Sequence, residues 1–119
     1  VGAPRRVSLC HCLSCQRRTG SLFSIAALYE RNAVTLQHGT PSRFTRDSTS
    51  GFTVTFHFCP HCGTSLYWEP ARMPHLVGVA VGAFADPGFP APEQQVWTSE
   101  RHCWLEIPSG IASFAEGKK

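Results

Sequence analysis

Five cysteines in two tight clusters constrain this chain more than any other feature. Cys10, Cys12 and Cys15 form a C-x-C-x-x-C run, Cys59 and Cys62 form C-x-x-C-G, and Cys103 stands alone. Cysteines this close in sequence cannot staple distant segments together. The opening stretch VGAPRRVSLCHC has no apolar core of a secretory signal. A disulfide framework is therefore disfavoured, and clustered thiolates point to metal ligation, with zinc as the expected cofactor. Reduced thiols without an export signal predict a cytoplasmic protein.

In extended backbone, residues i and i+2 face the same way, so Cys10 and Cys12 aim together and His11 aims away. A turn over Leu13 and Ser14 returns Cys15 to the same point, bringing three sulfurs within reach of one zinc at ~2.3 Å. His11 reads as an exposed or outer residue rather than a ligand. Three protein ligands leave an open fourth position, the arrangement of a catalytic or ligand-binding zinc. A fourth ligand from elsewhere would close the site into a structural one, and the spacing leaves both open. In the second cluster, Pro60 presets the turn and Gly63 permits positive φ, so backbone N–H groups can face the sulfurs. This knuckle supplies two of the four ligands that a closed site needs. Cys103, between His102 and Trp104, reads as a small buried hydrophobe.

The 119 residues fit a single domain, 1–119. Phe52 to Phe58 alternates strictly, with Phe52, Val54, Phe56 and Phe58 on one face and Thr53, Thr55 and His57 on the other, which predicts a half-buried strand. Phe23 to Tyr29 also predicts a strand. Val34 to Gln37, Ser65 to Trp68, Leu76 to Val81 and Gln95 to Thr98 are short β candidates. Gly39 to Pro41, Ser48 to Gly51 and Asp86 to Gly88 carry turn chemistry, and Phe84 to Pro92 is irregular. Only Gln16 to Ser21 and Ile111 to Phe114 suit a helical turn. The expected class is all-β, built of short antiparallel strands with zinc-binding loops. The net charge of +3 comes from scattered arginines, which argues against a nucleic-acid partner. No apolar run approaches the ~18 residues of a membrane span, so no membrane partner is expected.

Three motifs occur in order: Cys10-His-Cys12-Leu-Ser-Cys15-Gln-Arg17-Arg18-Thr19-Gly20-Ser21, then Phe58-Cys59-Pro-His-Cys62-Gly63-Thr64-Ser65-Leu66, then VAVGAFADPGFPAP over 79–92. With the closing Val96-Trp97-Thr-Ser-Glu-Arg-His-Cys-Trp104, they make the chain resemble the glutathione-dependent formaldehyde-activating enzyme family, also called the CENP-V/GFA domain. The likeness runs over nearly the whole chain. It implies a small β-tent with two zinc sites. The catalytic zinc would sit on Cys10, Cys12 and Cys15. Cys59 and Cys62 would give half of a four-cysteine structural site, completed in the family by a C-x-C-G segment ahead of the catalytic loop. Here no cysteine precedes Cys10, and the sequence begins Val1-Gly2-Ala3-Pro4. Either the chain starts inside the domain, or Cys59 and Cys62 share a metal with part of the first cluster.

The resemblance implies a carbon–sulfur lyase-type enzyme. It would join formaldehyde, or a small carbonyl, to glutathione or a similar small thiol, as an S-hydroxymethylglutathione synthase does. Glutathione carries two carboxylates, so Arg17 and Arg18 are candidate binding residues, against the plain alternative of a solvated pair. Thr19, Gly20 and Ser21 offer backbone N–H groups or an ordinary turn. Phe23 and Trp104 offer a wall or core packing. His57 is a proton shuttle or a surface histidine. The competing reading is a non-catalytic zinc-binding module for protein or nucleic-acid interaction. A thiol redox protein is disfavoured, because no C-x-x-C opens a helix in a βαβ pattern.

Overall fold

The computed structural model describes residues 3–48 and 51–117. Its frame is an eight-stranded mixed sheet with one short helix. In chain order the elements are β1 (Arg6–Cys10), α1 (Leu13–Thr19), β2 (Ser24–Glu30), β3 (Ser42–Asp47), β4 (Thr53–Phe58), β5 (Ser65–Pro70), β6 (Leu76–Ala80), β7 (Gln94–Val96) and β8 (Ala112–Ser113). Across the sheet they run β3-β4-β5-β6-β2-β1-β7-β8. No helix among the described residues is long and apolar enough to cross a membrane.

The β1 sequence Arg-Val-Ser-Leu-Cys alternates with period two, which sends Val7 and Leu9 to one face and Arg6, Ser8 and Cys10 to the other. Val7 and Leu9 are buried there with Ala27 and Tyr29 of β2 and Val77 of β6. Antiparallel register aligns them, pairing Val7 with Ala27 and Tyr29 with Val77. Each such side chain, fully buried, contributes roughly 1.5–3 kcal/mol. This face is the core. The alternation that builds it also delivers Cys10 to the opposite, open face.

On the open face the register lays one row across the sheet: Phe44, Phe56, Trp68, Gly78, Leu28 and Arg6. Gly78 is required in that row. A Cβ built on it would stand 2.5 Å from the Trp68 indole nitrogen and 2.8 Å from Cε2. Gly78→Ala is therefore expected to push Trp68 off the sheet and destabilise the fold by about 1–3 kcal/mol. A thermal melt followed by Trp fluorescence checks this, and an unchanged melt would contradict it.

The antiparallel expectation fails at one edge, where β7 runs parallel to β1 and β8 runs parallel to β7. The segment 111–114, expected to be helical, instead holds β8, because the edge of β7 offers it a ladder. Val34 to Gln37 is not a strand. It follows a 3-10 turn at Arg31–Ala33 and has no strand neighbour among the described residues, so local β propensity has nothing to pair with. β1 and β3 were not among the predicted strands. The turn expected at Ser48 to Gly51 includes residues 49–50, outside the described residues. It is closed by Gly51 N–H donating to Ser48 C=O at 3.0 Å and Ser48 N–H donating to Phe52 C=O at 3.1 Å.

β4 reverses part of its expected polarity. Phe52 is exposed, whereas His57, one of the expected surface histidines, is buried. Its ring stacks on Tyr67 of β5 with centroids 4.3 Å apart. Its Nε2 lies 2.6 Å from Glu69 Oε1, and Arg31 binds the other carboxylate oxygen. Burial alone pushes the Glu69 carboxyl up, but hydrogen bonds and charge from Arg31 and His57 outweigh it and hold it below its ordinary value. A lowered carboxyl contributes stability above its unfolded pKa of ~4.3 and loses it as pH falls through the folded value. Glu69→Gln is expected to cost about 1–3 kcal/mol near neutral pH. The gap from wild type should close as the pH falls below about 4. Denaturation at several pH values measures this, and a pH-independent gap would contradict it.

Candidate metal centre

The C-x-C-x-x-C run is a strand end followed by a capped helix. Cys10 closes β1. The chain stays extended through His11, whose N–H donates to Val96 C=O at 3.1 Å. Cys12 is the N-cap of α1, with φ −59° and ψ 150°, and its Sγ accepts from Cys15 N–H at 3.4 Å. A cysteine thus occupies the role usually taken by Ser, Thr, Asp or Asn. Cys12 C=O accepts the first helical bond from Gln16 N–H at 3.0 Å, and Leu13 N–H donates to the Glu100 carboxylate at 2.9 Å. Gly20, with φ 71°, ends the helix in the left-handed conformation that favours glycine.

This local path brings the three sulfurs within 4.8 Å of one another. All three cysteines are half-buried. Sulfurs bound tetrahedrally at ~2.3 Å from zinc stand roughly 3.8 Å apart, so a small closing movement would suffice, and three thiols form a soft donor set that suits zinc. The group therefore fits the metal. Without metal the three share protons unequally. Hydrogen bonds from Cys10 and Cys15 hold the Cys12 thiol down to about 2, with the Arg46 charge assisting. The bond to Cys12, that to Cys15 and then burial push Cys10 up. At Cys15 the hydrogen bond with Cys10 lowers the thiol, but the bond with Cys12 and burial outweigh it and the net shift is upward.

Beneath the loop lies His11, fully buried at 0% exposure. The expected direction, away from the sulfurs, agrees with its alternate position after Cys10; the expected exposure is corrected. Its Nε2 is 2.8 Å from Gln95 Oε1. Gln95 Nε2 in turn donates to Ser113 Oγ at 2.9 Å, and with the amide in this orientation His11 Nε2 is the donor to Oε1. Gln16 Nε2 donates to His11 C=O at 2.8 Å and to Glu100 C=O at 3.1 Å. His102 lies 2.9 Å from Gln16 Oε1. These bonds pin the cysteine loop and the first turn of α1 to β7, β8 and the segment around 100–102.

Two adjoining hollows lie beside the cysteine loop. Cys10 and Cys15 line one of about 480 Å³. The other, about 620 Å³, lies beside Arg17. Arg18, Arg46, Phe56 and Trp68 line both. Arg18 sits between the two, 4.7 Å from the Phe56 centroid and 4.5 Å from that of Trp68. It donates to Ser24 Oγ at 2.7 Å and to Ser65 Oγ at 3.3 Å. Arg46 of β3 lies over the same Phe56 ring at 5.1 Å. Among the described residues, no salt bridge joins Arg17, Arg18 or Arg46 to a carboxylate.

The expected site residues divide. Cys10, Cys12 and Cys15 come together, Arg18 lies at their side, and Arg17 lines the second hollow. Thr19, Gly20, Ser21 and Phe23 do not line either hollow. They lie at the C-terminal end of α1 and in the link to β2, where Thr19 Oγ1 donates to Cys15 C=O at 2.8 Å and accepts from Ser21 N–H at 3.1 Å. Trp104 is 69% exposed and walls neither hollow. Cys103, expected to be buried, is exposed. Cys59 and Cys62 do not join the three-cysteine group. Their knuckle is formed as expected, with Gly63 at φ +77° and Gly63 N–H donating to Cys59 C=O at 2.8 Å. Thr64, 3.0 Å from Cys62 Sγ, is the first cause of a lowered Cys62 thiol. Sequence reasoning missed Arg46, Trp68 and the buried role of His11. The alternation Phe44-x-Arg46 was the available signal for Arg46.

The family described as glutathione-dependent formaldehyde-activating enzyme matches residues 1–100. No curated protein matches the chain closely enough to count as a relative.

Proposed function

The chain belongs to the glutathione-dependent formaldehyde-activating enzyme family, and from that premise we propose that it joins a small thiol to a small carbonyl compound, glutathione to formaldehyde, at zinc held by Cys10, Cys12 and Cys15. The observation that carries the proposal is the meeting of three sulfurs within 4.8 Å at the edge of a chamber lined by Arg18 and Arg46, neither of which joins a salt bridge among the described residues. Zinc bound by three thiolates keeps a fourth position for an incoming thiol and favours its deprotonated form.

Arg18 and Arg46 then serve the thiol compound's carboxylates, whose charge and planar shape match a guanidinium. Phe56 and Trp68 hold the Arg18 guanidinium in place, so its ordering is not deferred to binding. The reaction balances without an oxidant. The thiol loses its proton, sulfur attacks the carbonyl carbon, and the carbonyl oxygen takes up a proton as the C=O π bond opens. Formaldehyde offers almost nothing to grip, so a chamber of this size serves mainly the thiol compound. Cys59 and Cys62 enter the proposal as a structural metal half-site, apart from the reacting groups.

The test is NMR measurement of S-hydroxymethylglutathione formation by the zinc-loaded chain, against the spontaneous reaction. Acceleration that disappears when zinc is stripped is expected. A rate equal to background with full zinc occupancy would overturn the enzymatic reading and favour a non-catalytic zinc-binding module.

A further inference from the structure

The second hollow carries more recognition chemistry than glutathione and formaldehyde require. At about 620 Å³ it falls in the range of ~300–1,000 Å³ that encloses a drug-sized molecule. Strand alternation points Phe44, Phe56, Phe58 and Trp68 to this open face, and all four line the hollow. Phe44 is 61% exposed, so its ring is available to a ligand. Opposite in character are Arg17, Arg18 and Arg46, and no Asp or Glu lines either hollow. Glutathione has no ring and formaldehyde has no charge, so neither uses the aromatic surface of Phe44 and Phe58 beside Arg17.

We propose that the second hollow binds a planar aromatic anion, its ring against Phe44 and Phe58 and its charged group on Arg17 and Arg46. The physical reasons are separate and additive in kind. Aromatic rings and guanidinium planes favour a flat π surface. Guanidinium groups facing a partly dry hollow favour a carboxylate or phosphate through charge-assisted hydrogen bonds. Because Arg18, Arg46, Phe56 and Trp68 line both hollows, a compound seated here adjoins the hollow that Cys10 and Cys15 line. Only in that last respect, as a ring-bearing thiol or aldehyde substrate, does the inference rest on the proposed thiol–carbonyl chemistry.

Isothermal titration calorimetry of the full zinc-loaded chain, with no thiol present, tests it. The probes are 2-naphthoate, 2-naphthyl phosphate, hexanoate and 2-naphthalenemethanol. At least one naphthyl anion is expected to bind ~10-fold or more tighter than both hexanoate and the neutral alcohol, a gap equivalent to one good interaction. Tighter carboxylate binding assigns an aromatic acid, and tighter phosphate binding assigns an aromatic phosphate ester. Arg46→Gln should weaken the anion ~10-fold through loss of a charge-assisted bond. Phe44→Ala, at an exposed position, should narrow the preference over hexanoate. No heat for any probe in the low millimolar range, equal binding of hexanoate or the alcohol, or an unaltered affinity in Arg46→Gln would each overturn the proposal. None of these outcomes depends on thiol binding, so the pocket and the proposed reaction can fail independently.

Discussion

Cys12→Ser is expected to strip zinc from the three-cysteine site and abolish thiol–carbonyl activity while the fold survives. Cys12 has two separable tasks. Its sulfur is one of three candidate metal donors, and it also caps α1 by accepting from Cys15 N–H. A serine hydroxyl performs the second task at least as well, since Ser is among the preferred N-caps. It cannot perform the first, because a neutral hydroxyl replaces a soft thiolate. Partners outside a metal's ligand set already cost 10–100-fold in affinity when removed, so loss of a ligand should exceed ~100-fold. Zinc stoichiometry after dialysis, read beside a thermal melt, separates the two tasks. A Cys12→Ser chain that unfolds would show that the site is structural.

His11→Ala should do the reverse and damage the fold first. The imidazole is the largest side chain with no exposure among the described residues, and its replacement leaves both a cavity and Gln95 Oε1 without its donor. Cavity and unsatisfied acceptor together are expected to cost about 3–5 kcal/mol. For a domain of this size, that lowers Tm by roughly 10–20 °C. The residue next in sequence to two metal donors thus acts as a peg into the core, a consequence of the two-residue period of extended backbone. A melt within a few degrees of wild type would contradict this role.

How much of this was legible in the sequence depended on the range of the interactions. The cysteine loop was readable because its geometry is local: a strand end, a cap and one helical turn fix three sulfurs within six residues. The knuckle at Cys59 to Gly63 was readable for the same reason. β4 was found from its alternation, and Phe56 of its aromatic face is buried, but so is His57 of the face that was read as polar. His57 is buried through Tyr67 and Glu69 of β5, partners that no local pattern announces. β3 was missed because Ser-Arg-Phe-Thr-Arg-Asp reads as polar, and the Arg46 it brings to the site depends on pairing with β4. β7 was partly read in the candidate Gln95 to Thr98, but its parallel pairing, and β8, were beyond reach for a similar reason. A two-residue strand exists only because an edge is there to receive it. Thr19, Gly20, Ser21 and Phe23 were read as substrate contacts by proximity to Cys15; they lie at the end of α1 and in the link to β2 and line neither hollow.

The most direct measurement is native mass spectrometry of the chain with and without glutathione, counting zinc. The expected spectrum shows a zinc-bound chain that gains one glutathione, an adduct that disappears in Cys12→Ser. A wild-type chain that holds zinc and ignores glutathione would contradict an open thiol-accepting site at Cys10, Cys12 and Cys15.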